Sequence, residues 1–172
     1  MTTTTSGTTE LFASYDDVSS QILELFSSFN GQQINIIPFK GSWTAAQVAD
    51  HIAKATTSIA GTLTAPGKIA DREPDERVEE MKDLFLDFEK KFQSPEFVLP
   101  RQGSLIREEL IKDLEKTIEA FKNAAKIANL SEIVKDSALG EMTKLELIYL
   151  SLYHTQRHIH QLKNIFDVVG NK

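Results

Sequence analysis

The chain has 172 residues, of which 41% are hydrophobic, and its formal net charge is −6. This length fits one domain with a substantial core, and an acidic chain without a basic block is not expected to bind nucleic acid, whose affinity for proteins comes mainly from neutralised phosphates. The sequence contains no cysteine, which excludes disulfides, thiolate metal ligands, Fe–S clusters and a catalytic thiol.

The N-terminal stretch MTTTTSGTTE has neither a basic nor an apolar region, so it does not match a signal peptide. Its threonine-rich composition predicts a disordered tail over residues 1–9, followed by a single helical domain over residues 10–170. No apolar run approaches the roughly 20 residues that are needed to cross a bilayer. A soluble, cytoplasmic protein without a membrane or nucleic-acid partner is expected.

Apolar residues recur at helical spacing from Leu11 to Phe29, which predicts a first long helix that ends near Asn30. A second helix is predicted to begin where Thr44 and Gln47 form a T-x-x-Q capping box. One face of this second helix carries apolar side chains together with a histidine: Val48, His51, Ile52, Ala55 and Ile59.

Three further amphipathic segments follow along the chain. Residues 78–92 predict a shorter helix, bounded on both sides by connectors rich in turn-forming residues. Residues 105–125 predict a third long helix, and the fourth is predicted to begin at a second capping box, formed by Thr143 and Glu146. Runs of β-branched residues with period two are absent, so these helices predict an all-α four-helix bundle with the shorter helix between helices 2 and 3.

Three of the four histidines lie in the short stretch YHTQRHIHQL. His154 and His158 are one helical turn apart, on a stripe that otherwise carries leucine and isoleucine. Burying a neutral imidazole without a hydrogen-bond partner costs about 1–3 kcal/mol, so the pair is either satisfied within the core or held there by a metal ion. His160 lies two residues beyond His158, a rotation of about 200°, and is predicted to be exposed.

The remaining histidine, His51, also lies on the apolar face of its helix. Because the inward faces of a bundle meet, His51 can join His154 and His158 at one site. Three neutral imidazole nitrogens suit Zn²⁺, Ni²⁺ or a similar ion and leave positions open for water or substrate. Other metal patterns are absent, since HTQRH lacks the glutamate of a zincin helix and no Glu-x-x-His pair of a di-iron bundle occurs.

Two segments resemble motifs of the DinB/YfiT-like superfamily. The segment SWTAAQVADHIAKA is similar to the entry into that superfamily's second helix, where W-[ST]-x-x-[EQ] is followed by a histidine on the next turn. The segment HTQRHIHQLKNI is similar to the last-helix signature, H-x-x-x-H followed by x-x-Q and a hydrophobic residue. The two motifs occur in the right order, and the predicted helices follow the superfamily layout over most of the chain.

The resemblance implies an up-down-down-up bundle in which His51, His154 and His158 hold a divalent metal, zinc or nickel. Superfamily members include thiol-dependent S-transferases and isomerases, and proteins described as metal-dependent hydrolases. For this chain the resemblance therefore implies a thiol S-transferase or hydrolase-type enzyme with a small-molecule substrate and a low-molecular-weight thiol as co-substrate, and it allows a homodimer. The alternative is a non-catalytic, stress-associated bundle that binds metal or a partner.

Two glutamines are candidates for orienting the imidazoles, because a side-chain amide can hydrogen-bond to the ring nitrogen that faces away from a metal. Gln47 precedes His51 by one turn, although its role in the capping box alone is the favoured interpretation. Gln161 follows His158 by three residues and lies on the same stripe. Trp43 is expected to pack as a hydrophobic staple. Three charged side chains near the histidines are expected to be solvated: Asp50, Arg157 and Lys163.

Overall fold

The computed structural model describes residues 3–136 and 139–170, and most of these residues are helical. The helices are α1 (Thr3–Ser27), α2 (Ala45–Thr64), α3 (Val78–Phe85), α4 (Arg107–Ile127) and α5 (Lys144–Val169). The four long helices bury their apolar faces against one another around a shared core, in which Phe26, Phe121 and Leu147 are fully enclosed. The helical bundle predicted from apolar periodicity is confirmed.

Helices α1 and α5 run in the same direction. The hydroxyl groups of Tyr15 and Ser151 lie 3.4 Å apart in the first half of the two helices. Phe29, just beyond the end of α1, packs edge-on against Phe166 near the end of α5, with ring centroids 5.0 Å apart.

Helices α2 and α4 both run opposite to α1. Asp50, early in α2, binds Arg101, which shortly precedes α4. Arg107, the first residue of α4, donates to the carbonyls of Ser27 and Phe29 at the end of α1, whereas the Tyr15 ring in the middle of α1 stacks on Phe121, which lies late in α4. The order of directions is therefore up-down-down-up, as the resemblance implied.

Both predicted capping boxes are present. The Thr44 hydroxyl accepts a hydrogen bond from the backbone N–H of Gln47, and the backbone N–H of Thr44 donates to the side-chain oxygen of Gln47. Helix α2 therefore begins at Ala45. Thr143 and Glu146 form the same pair of bonds at the start of α5. These bonds satisfy backbone N–H groups that have no partner within the helix.

Glu146 also binds a distant segment of the chain, a role beyond the helix cap that was predicted for it. Its carboxylate is fully buried and forms a bidentate ion pair with Arg72, with nitrogen–oxygen distances of 2.6 and 2.7 Å. It also accepts a hydrogen bond from the backbone N–H of Arg77. These contacts attach the connection between α2 and α3 to the first turn of α5.

A small antiparallel sheet adds to the predicted all-α architecture. Its strands are β1 (Lys68–Ile69), β2 (Glu132–Asp136) and β3 (Gly140–Thr143), in the order β1-β2-β3. Val134 of β2 pairs with Met142 of β3, and both side chains are buried. This sheet is not predictable from the sequence, because strands of two to five residues are too short to display alternation of apolar and polar residues.

Two predicted boundaries were wrong. Helix α1 begins at Thr3, so residues 3–9 of the predicted tail are helical, while residues 1 and 2 lie outside the described residues. Helix α3 ends at Phe85 rather than continuing to residue 92, because Asp87 starts a turn: its carboxylate accepts from Glu89 N–H and its carbonyl from Lys90 N–H. Within the described ranges, no helix is long and apolar enough to cross a membrane.

Candidate metal centre

Three histidines converge between α2 and α5, as the sequence predicted. The Nε2 atom of His154 lies 3.0 Å from Nε2 of His51 and 3.1 Å from Nε2 of His158. One nitrogen from each ring lies within 4.8 Å of the other two, which is the spacing of ligands around a single ion. His51 and His158 are buried, whereas His154 is partly exposed.

The hydrogen bonds behind two of the rings fix their tautomers. Nδ1 of His51 lies 2.8 Å from the carbonyl oxygen of Val98. Because a carbonyl only accepts, this Nδ1 carries the proton and Nε2 presents a lone pair. Nδ1 of His158 lies 2.8 Å from the amide oxygen of Gln161, which has the same effect. At least two lone pairs therefore point at the same small region, and His154 can donate a proton to only one of them.

A proton shared among the rings does not explain this arrangement. Burial, followed by repulsion from the neighbouring His51, lowers the pKa of His158 to about 3. Burial, followed by repulsion from the other two imidazoles, holds the pKa of His154 well below its ordinary value, and burial also lowers the pKa of His51. The three rings are therefore neutral near pH 7 and have the donor set that a divalent transition metal prefers.

The structure separates the two candidate glutamines. Gln161 hydrogen-bonds to His158, as proposed for an orienting residue. Gln47 does not orient His51, because its side chain bonds to Thr44 in the capping box and to the Arg101 carbonyl. The acceptor behind His51 is instead a backbone carbonyl in a 3-10 helix (Glu96–Val98), a group that no side-chain pattern reveals.

Asp50 was predicted to be solvated, and this prediction was wrong. It is 4% exposed and accepts hydrogen bonds from both the backbone N–H and the side-chain Nε of Arg101, each at 2.8 Å. Although burial opposes ionisation, these bonds and the ammonium of Lys54 keep the pKa of Asp50 below its ordinary value. Lys54 also donates to the carbonyl of Leu99. Together these bonds fasten the chain next to Val98 onto α2.

Aromatic rings lie against two of the three histidines. The ring of Trp43 packs against the core and lies 4.9 Å from the ring of His51. Phe85, at the end of α3, is edge-on to His154 at 6.3 Å, and Phe92 stacks on Phe85 at 5.5 Å. The predicted packing role of Trp43 therefore also supports a site residue.

Arg157 was also predicted to be solvated, and it is not. Its guanidinium donates to the backbone carbonyls of Phe85, Asp87 and Lys90, and it lies 4.6 Å from the centre of the Phe92 ring. His160 is exposed, as predicted, and stacks on Phe88 with ring centroids 4.0 Å apart. It lies outside the group of three histidines that could hold an ion.

The comparisons with known proteins agree with this fold. The DinB superfamily model matches residues 14–162. The chain belongs to the DinB superfamily. It is similar in structure to TT2238, a four-helix bundle protein, with a TM-score of 0.59 and 17% identity, over 90% of this chain and 96% of that one.

A second similar structure is YfiT from Bacillus subtilis, described as a probable metal-dependent hydrolase with an unusual four-helix bundle topology. The TM-score is 0.57 and the identity 12%, over 94% of this chain and 86% of YfiT. At these identities the two likenesses concern the fold. No curated protein matches the chain in sequence.

Proposed function

We propose that this member of the DinB superfamily is a metal-dependent enzyme in which His51, His154 and His158 hold a divalent ion, zinc or nickel. The observation that carries the proposal is the convergence of three Nε2 atoms from two helices, with acceptors behind two of the rings that direct their lone pairs inward. The description of YfiT as a probable metal-dependent hydrolase supports it through similarity of fold. The proposed activity is thiol S-transfer or a hydrolysis.

A divalent ion bound here would lower the pKa of a water or thiol and so provide a nucleophile near neutral pH. The chain's own contribution is orientation. The Val98 carbonyl and the Gln161 amide hold the rings of His51 and His158 in the tautomer that ligation requires. Because all three imidazoles are neutral, they leave the positive charge of the ion available to an anionic nucleophile.

A non-catalytic metal-binding bundle is the second candidate, and one observation favours it. Within residues 3–136 and 139–170, the candidate ligand group consists of histidines alone. The nearby carboxylate of Asp50 is committed to Arg101 and Lys54. A general base for proton transfer would then have to come from the substrate, the co-substrate or the bound nucleophile itself.

Two measurements separate these candidates. Elemental analysis of protein purified without a histidine tag should find about one divalent ion per chain, as three converging ligands imply. The metal-loaded protein should then be assayed for transfer of small thiols to electrophiles and for ester hydrolysis, beside His158→Ala and, as a control, His160→Ala. Activity lost only in His158→Ala supports catalysis. Equal rates in all three proteins argue for the non-catalytic bundle, and absence of metal from the wild-type protein contradicts both.

A further inference from the structure

We propose that Phe85 and Phe92 form an aromatic wall at the accessible side of the metal centre, and that this wall selects substrates with an apolar, preferably aromatic, group beside the atom that meets the metal. The proposal rests on the proposed function, because it concerns the substrate class of the same site. It follows from where solvent reaches the histidines, what lies there, and how that segment is held.

Solvent reaches the cluster at His154. His51 and His158 are 3% and 7% exposed, whereas His154 is the partly exposed member. The Phe85 ring stands edge-on to His154, with an interplanar angle of 71°. Phe92 stacks almost parallel on Phe85, at 13°, and remains 44% exposed. A molecule that approaches His154 on this side therefore meets the aromatic rings of Phe85 and Phe92, with the guanidinium of Arg157 over the Phe92 ring.

The wall is held in position by α5, the helix that carries two of the three histidines. The guanidinium of Arg157 lies over the Phe92 ring and donates to the carbonyls of Phe85, Asp87 and Lys90. Since these bonds occupy the guanidinium, Arg157 acts as a positioning residue. Because Phe92 remains 44% exposed, burial alone does not hold its ring, and these polar contacts help to fix its place next to the site.

Phe88 provides a matched control within the same connection. It has the same exposed fraction as Phe92, 44%, and it also stacks on an aromatic partner. That partner is His160, which lies outside the three-histidine cluster. Replacing Phe88 therefore removes an equivalent ring without altering the surface beside His154.

The experiment compares two small chelators that bind a metal through the same group. Acetohydroxamate and benzohydroxamate differ in a methyl and a phenyl substituent. Their dissociation constants are measured by calorimetry on the nickel-loaded wild-type protein and on Phe92→Ala, Phe92→Leu and Phe88→Ala. Contact between the phenyl group and the wall should make the preference for benzohydroxamate about three- to tenfold larger in the wild type than in Phe92→Ala.

Phe88→Ala should keep the wild-type preference, and Phe92→Leu, which retains apolar surface without a ring, should be intermediate. The same preference in the wild type, Phe92→Ala and Phe88→Ala would overturn the aromatic wall while leaving the metal centre intact. A wild-type protein that binds neither nickel nor zinc would instead overturn the proposed function. If Phe92→Ala failed to fold or to retain nickel, Phe92→Leu decides, because an unchanged preference in that variant also overturns the wall.

Discussion

Helix α5 and the connection between α3 and α4 both contribute to the candidate metal centre, but different interactions place them there. Helix α5 is positioned by a buried apolar stripe, and His154 and His158 occupy that stripe at the spacing of one turn. The connection, residues 86–106, contains no helix longer than three residues. It contributes the carbonyl of Val98 and the ring of Phe92.

The connection is fixed by charged side chains as well as by the burial of Val98. Arg101 binds Asp50 of α2, and Arg157 of α5 donates to carbonyls at the start of the connection. Irregular backbone cannot satisfy its own carbonyls and N–H groups, so side chains from neighbouring helices must do so. The candidate metal ligands are therefore placed by helical packing, whereas the connection beside them is held by hydrogen bonds between residues that are far apart in the sequence.

The largest loss of metal affinity is expected when one of the three histidine ligands on α2 and α5 is removed. His51→Ala, His154→Ala and His158→Ala should each weaken nickel or zinc binding by more than about a hundredfold, beyond the loss expected for an outer hydrogen-bond partner. His160→Ala should bind almost as the wild type does, because His160 lies outside the cluster. Calorimetric titration measures the four affinities. Full affinity in His51→Ala would show that the ion is not shared between α2 and α5.

Removing the ion tests whether it joins the two helices in the native state. At a free metal concentration of one hundred times the dissociation constant, binding should stabilise the fold by about 2.7 kcal/mol. For a domain of this size that corresponds to a rise in melting temperature of roughly 5–10 °C. Thermal unfolding with chelator and with added zinc measures the shift. A melting curve that is the same in both conditions, for protein known to bind the ion, would contradict a site built into the fold.

The two glutamines sharpen the comparison between capping and ligand orientation. Gln161→Ala removes the acceptor behind His158 and should weaken metal binding by about ten- to a hundredfold. Gln47→Ala removes a capping-box bond at the start of α2 and should lower the free energy of unfolding by about 1 kcal/mol, with metal affinity nearly unchanged. Affinity titrations and urea unfolding of both variants separate these effects. Equal metal affinities in the two variants would remove Gln161 from the site.

Acidification should destabilise the metal-free protein through the same three histidines. Burial lowers their pKa values in the folded state, to about 3 for His158, while an unfolded histidine titrates near 6.5. Below that pH the unfolded chain takes up protons that the folded chain does not, so stability is full above about pH 7 and falls as the pH drops, by about 1.4 kcal/mol per pH unit for His158 alone.

Urea unfolding in chelator at pH 7.5 and 5.5 measures this slope. His158→Gln should reduce the slope and His160→Ala should leave it unchanged; an identical slope in His158→Gln would show that this ring is not held neutral.

The lowered pKa values also change the pH dependence that is expected for metal binding. An ordinary histidine pKa predicts that metal binding weakens below about pH 6, and the buried rings should move that loss to lower pH.

The sequence was sufficient for the bundle and for the three converging histidines, because both depend on helical periodicity. The two capping boxes predicted where α2 and α5 begin, and the stripe that carries His154 and His158 predicted which face of α5 points inward. These features are local, since three or four neighbouring residues determine each of them.

The parts that could not be predicted depend on partners far away in the chain. Asp50 is buried because Arg101 reaches it from 51 positions further on. Arg157 is held by carbonyls about 70 positions earlier, and the acceptor of His51 is a backbone atom 47 positions away. The early end of α3 has a local cause, the turn at Asp87, but the continuing apolar spacing of Phe88 and Phe92 conceals it.

The placement of the ligands also determines when the metal can enter. His51 and His154 are separated by 103 positions, and two of the three ligands belong to the last helix of the chain. During synthesis, α1, α2 and α4 emerge before α5, so the growing chain presents only one of the three candidate ligands until α5 has been made. Metal binding therefore cannot guide early folding of the bundle. An ion held by all three histidines would therefore be acquired only after α5 has been made.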